Sequence, residues 1–115
     1  MDAEISFNRF SEENATRRMI ATTPALAEVI AKRAMGEELA LQESVMLDSY
    51  VASILIGQEY AWLQHQRGRI EDYDIETLVR RIQEDFWGIE STWDRMRREG
   101  LDDDFVAAVE RELGR

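Results

Sequence analysis

Apolar residues recur along most of this chain at intervals of three and four, the spacing that lines one face of an α-helix. From about Phe7 to Thr22 the pattern predicts a first helix, with Met19 and Ile20 apolar near its end and a poorly defined inner face. Thr23 and Pro24 then form a start signal, a hydroxyl N-cap followed by proline at the first helical position. Leu26, Val29, Ile30 and Ala34 follow at helical spacing, and Gly36 closes this short second helix.

The third helix is predicted from about Leu41 to Arg67, ended by Gly68. At ~1.5 Å per residue it spans about 40 Å. Leu47, Val51, Ile54, Gln58, Ala61 and His65 share one stripe, and Ala52, Leu55, Glu59 and Trp62 share the adjacent one. Tyr50 to Gly57 is apolar nearly all round, which predicts a helix surrounded by others. Gly57 lowers helix propensity by up to ~1 kcal/mol relative to alanine. The expected return is close approach of a neighbouring helix.

Asp72 is the expected cap of a fourth helix, with Asp74 and Glu76 in its first turn. Ile75, Leu78, Val79, Ile82 and Phe86 form its inner stripe, Trp87 falls beside that stripe, and Gly88 breaks the helix. A fifth helix, about Glu90 to Glu99, carries Trp93 and Met96 and ends at Gly100. Asp102 caps a last helix with Phe105, Val106, Val109 and Leu113 inward. No segment alternates as a strand does, and no fixed-period repeat or low-complexity run is present. The prediction is all-α: residues 1–115 as a single domain, a five- or six-helix bundle around one long central helix.

Composition narrows the chemistry. A chain of 115 residues suits one domain and buries roughly two thirds of its unfolded surface. The absence of cysteine removes disulfides, thiolate zinc sites and catalytic thiols. Lys and Arg total 14 against 24 Asp and Glu, a net charge of −10. Both halves are acidic, with 6 basic and 10 acidic residues in 1–68 and 8 and 14 in 69–115. That field opposes binding to nucleic acid and to anionic membrane surfaces. The N-terminus shows no basic start followed by an apolar core, so no signal peptide is read. The most apolar stretch, Val45 to Leu63, contains Asp48, Gln58 and Glu59 and makes a poor membrane span. The expected location is cytoplasmic, with the soluble part of a membrane-anchored protein as the alternative.

Glu-x-x-His pairs, HExxH and multi-histidine metal sites are excluded because His65 is the single histidine and no glutamate precedes it by three. The Asp102–Asp104 run lacks the alternating ligand loop of an EF-hand and reads as an acidic helix start. No GxSxG elbow and no phosphate-binding glycine loop occur, so no catalytic group, cofactor or metal is assigned. Near the end of the long helix, His65 reads as a partly exposed residue favoured by the C-terminal dipole. Glu59 stands out, a carboxylate in the most apolar helix. It is expected to pair with Arg18, Arg80 or Arg81, the sharper alternative being a pocket acid. A pocket would gather Tyr50, Glu59, Trp62 and His65. Trp87 and Trp93 are the aromatic candidates for an interaction surface, and Arg95, Arg97 and Arg98 form a small basic cluster that could receive an acidic partner.

Three segments carry a resemblance: ENATRRMIATTPALAEVI, then QEYAWLQHQRGRIEDYDIE, then EGLDDDFVAAVE. Together they resemble the soluble helical portion of a family of uncharacterised bacterial proteins, over most of residues 14–112. In many of those a single membrane-spanning helix precedes this region. The turn after the long helix corresponds here to Arg67-Gly68-Arg69-Ile70-Glu71-Asp72. The resemblance implies a helical domain and carries no activity with it; the chain departs from the pattern in lacking the anchor, as a soluble member or a part of a longer protein. The functional expectation is a non-enzymatic protein-interaction or regulatory domain that self-associates, from negative chemistry and a surplus of aromatic and apolar side chains. The alternatives are a small-molecule or enzymatic pocket between helices and an acidic mimic of nucleic acid. Interspersed arginines oppose the mimic.

Overall fold

The structure, a computed structural model, describes residues 24–115. The predicted first helix and Thr23 lie outside the described residues. Five α-helices follow: α1 (Pro24–Ala34), α2 (Leu41–Gln66), α3 (Ile75–Gln83), α4 (Ile89–Glu99) and α5 (Asp103–Leu113). A single 3-10 turn, Phe86–Gly88, links α3 to α4, and no strand occurs among the described residues. The architecture is all-α, with the long helix α2 as the member on which the others assemble. No helix among the described residues is long and apolar enough to cross a membrane.

Local chemistry explains most helix ends. Glu43 accepts the Ala40 backbone N–H at 2.9 Å and so satisfies one of the donors exposed at the start of α2. At the start of α5 the Asp102 carboxylate accepts from the N–H groups of Asp104 and Phe105, as its sequence position predicts. The start of α3 differs from expectation by two residues: Asp74, not Asp72, is the cap. Its carboxylate accepts the backbone N–H groups of Glu76 and Thr77 and the Thr77 hydroxyl. The connection ahead of it is tied down by buried Ile70 and by the Tyr73 hydroxyl, which donates to Gln58 at 3.0 Å. Those anchors carry the chain past Asp72 before the helix begins.

The other departure is at the end of α3. The helix stops at Gln83, so Phe86 is not on its inner stripe and Gly88 is the cap of α4 rather than the breaker of α3. Asp85 turns into the left-handed region at φ 50°, and Trp87 does so again at φ 56°.

The core draws on every helix. Val29 of α1, Leu47, Val51 and Leu55 of α2, Leu78 and Ile82 of α3, Trp93 of α4 and Phe105 and Val109 of α5 form one buried cluster. Trp93 meets Phe105 edge to face with centroids 6.0 Å apart, and Trp62 packs on Phe105 at 5.7 Å in a tilted arrangement. The partners pack on one side of α2. The molecule measures 43 × 34 × 21 Å, and its thin dimension is about two helix diameters. Enclosure of α2 is therefore incomplete among the described residues: Leu55 is fully buried, whereas Ile56 is 52% exposed. Nor does a helix press on Gly57, where an added Cβ would meet nothing within 4 Å.

Candidate functional site

The most distinctive surface is the open side of α2. Met46, Ser49, Ser53, Ile56, Tyr60 and Leu63 follow one another at alternating steps of three and four, the seam spacing of a coiled coil. Met46, Ile56 and Tyr60 are large and exposed, the two serines are exposed, and Leu63 is half-buried. The Ser53 hydroxyl donates to the Tyr50 carbonyl at 2.6 Å. Its proton is thus satisfied within the helix. Exposed Leu41 and Val45 continue the apolar surface towards the start of α2.

This seam carries no charge although a third of the chain's residues are charged. The reason lies in where α2 directs its carboxylates. Glu43 pairs with Lys32 of α1 at 2.8 Å. Asp48 accepts from the buried Thr92 hydroxyl at 2.7 Å and pairs with Arg95 at 2.8 Å, both in α4. Glu59 accepts the backbone N–H of Asp102 at the start of α5. Each acid is fastened to a different neighbour, away from the seam. The hydrogen bond from Lys32 holds the Glu43 carboxyl below its ordinary range, and the same bond raises Lys32.

Beside the seam stands an aromatic turn. Trp87 stacks on Phe86 with centroids 4.5 Å apart and lies 5.6 Å from Tyr50. Tyr50 sits four residues from Met46 and three from Ser53, so the turn borders the seam on the surface of α2. A left-handed conformation costs a non-glycine residue roughly 1–2 kcal/mol. Here it is held by Asp85, whose carboxylate accepts the Glu90 N–H at 3.1 Å and lies 3.3 Å from Arg33. The Arg33 guanidinium also lies 3.5 Å from where a Cβ on Gly88 would be.

The pocket candidates are placed separately. Tyr50 is buried against Trp87, and burial pushes its phenol up. Nine residues along the helix Glu59 falls about half a turn away from it, on the opposite side. Its partner is the Asp102 backbone where Arg80 or Arg81 was expected; Arg18 lies outside the described residues. Trp62 packs on Phe105. His65 Nδ1 lies 3.2 Å from the Ile70 carbonyl. A carbonyl can only accept, so Nδ1 carries the proton in that contact. These four contacts reach three different parts of the fold: the 3-10 turn, α5 and the connection after α2.

The interaction candidates divide. Trp93 is 0% exposed, with its indole N–H donating to Glu110 at 3.3 Å, which makes it a core residue rather than a surface anchor. Trp87 is half-buried, while the exposed member of the turn is Phe86. The basic cluster is internally neutralised: Arg95 by Asp48, Arg97 by Asp94 and Glu110, Arg98 by Asp94. Hydrogen bonding from Arg97 holds Asp94 below the usual carboxylate range. Among the described residues no group of three or more His, Cys, Asp or Glu is placed to hold a metal ion.

Met46, Ser49, Ser53, Ile56 and Tyr60 are the residues that helical spacing alone did not single out. Their alternating spacing was visible, but a helix apolar nearly all round does not declare which side its neighbours cover. Comparison with protein families, curated proteins and solved structures gives no match for this chain.

Proposed function

We propose that this chain is a non-enzymatic protein-interaction domain whose contact surface is the uncharged side of α2. The observation that carries this reading is the seam from Met46 to Leu63, exposed and charge-free while all of the helix's carboxylates are fastened elsewhere. Contiguous exposed apolar surface on a soluble fold marks a place of association. The half-buried Trp87 and exposed Phe86 add aromatic area at its border, the residue class enriched at interface hot spots. Tyr50, Glu59, Trp62 and His65 act as structural contacts in this reading, and the arginines of α4 as internal ion-pair partners.

A photo-crosslinking amino acid placed at Ser53 in the full chain tests the proposal in expressing cells. A discrete adduct is expected at Ser53, and none when the same group is placed at exposed Glu112. Adding Ile56→Glu should abolish the adduct with an unchanged circular dichroism spectrum. No adduct, or an equal smear from both positions, would overturn the reading.

A further inference from the structure

The geometry points to a second copy of this chain as the occupant of the seam, docked antiparallel with α2 against α2; this rests on the interaction reading above. Three observations lead there.

The first is the order of side-chain sizes. In an antiparallel pair, coiled-coil packing sets each seam residue opposite its mirror position in the other helix. A two-fold axis midway between Ile54 and Leu55 brings Met46 opposite Leu63, Ser49 opposite Tyr60 and Ser53 opposite Ile56. Both serines then face a large residue, so no layer pairs two small side chains and the packing gaps stay small. A parallel pair in register gives serine on serine twice and tyrosine on tyrosine once. It leaves two consecutive layers underfilled and crowds the tyrosine layer. The sequence of the seam is therefore complementary to its own reverse, the defining property of a two-fold interface.

The second is charge. A partner with a charged face would lose hydration on this surface and find no counter-charge. The same seam on another copy brings no charge to desolvate. Of the residues flanking the seam over this length, Glu59 alone is acidic or basic, and its carboxylate is held by the Asp102 backbone.

The third is room for approach. Ala52 and Gly57 lie at the edges of the seam, and nothing among the described residues comes within 4 Å of a Cβ built on Gly57. Small residues at those edges let two helix backbones come close. The open edge at Gly57 is accounted for when the neighbouring helix belongs to a second molecule.

The chain has no cysteine, so an introduced pair reports on geometry without interference. In the antiparallel register, residue 49 faces residue 60 of the other copy, while two residues 49 stand roughly 16 Å apart. A disulfide needs Cα atoms within about 7 Å. Full-length Ser49→Cys and Tyr60→Cys chains mixed under mild oxidation should give the mixed disulfide at least ~10-fold above either homodisulfide. Sedimentation equilibrium of the unmodified chain should show a concentration-dependent dimer, lost in Ile56→Glu. Homodisulfides in excess would overturn the antiparallel register. A chain that stays monomeric up to millimolar concentration overturns the second copy. If the Ser53 crosslinker still yields a discrete adduct with another protein, the interaction reading survives that failure; if it yields none, both fall.

Discussion

At the scale of single residues, several carboxylates of this protein accept backbone N–H groups at helix starts, and substitutions separate their roles. Asp102 caps α5, so Asp102→Ala should cost about 1 kcal/mol, read as a lower urea midpoint at unchanged slope. Glu59 receives the N–H of that same residue. Glu59→Gln keeps an acceptor oxygen and should change stability by well under 1 kcal/mol, whereas Glu59→Leu removes the hydrogen bond to the exposed Asp102 N–H and should cost about 1 kcal/mol. Equal losses from both variants would show that the charge, and not the acceptor, is what matters. Trp93 fills the centre of the core, and truncation to alanine should cost about 3–5 kcal/mol, enough to unfold much of the population at 37 °C.

At the scale of elements, α2 is joined to α1, α4 and α5 by one carboxylate each. Among the described residues three carboxyl groups sit below their ordinary range: Glu43 through Lys32, Asp74 through the Thr77 hydroxyl and the α3 cap, and Asp94 through Arg97. A carboxyl lowered in the folded state stabilises it above the unfolded value, near pH 4, and that contribution disappears as pH falls through the lowered folded value. The melting temperature should therefore stay level from pH 7 to about 5 and decline below about 4; a melting temperature that rises on acidification contradicts these assignments. The helices themselves were legible from the sequence wherever their ends are local. Gly68, Gly100 and Asp102 mark boundaries with their own chemistry. The end of α3 was not legible, because left-handed Asp85 and Trp87 are fixed by Arg33, Glu90 and Tyr50, residues distant in the chain or across the turn. Glu59 was conspicuous, but charge matching looks for an arginine and overlooks a backbone N–H. The seam stayed hidden for a related reason. Periodicity finds faces, and it cannot say which of two apolar faces is covered.

At the scale of the whole molecule, a body of net charge −10 presents an uncharged band along α2. Two such bodies repel over about 30 Å at 10 mM salt and about 10 Å at 100 mM. Dimer formation through α2 should accordingly strengthen as sodium chloride rises from about 10 to 500 mM, measured by light scattering at fixed protein concentration. An association that weakens with salt would mean that opposite charges drive it. If two such bands meet as proposed, the protein would behave as a patchy colloid. Its contacts would then be permitted or forbidden by the surrounding electrolyte, and a cell's ionic composition would control assembly with no ligand and no covalent mark.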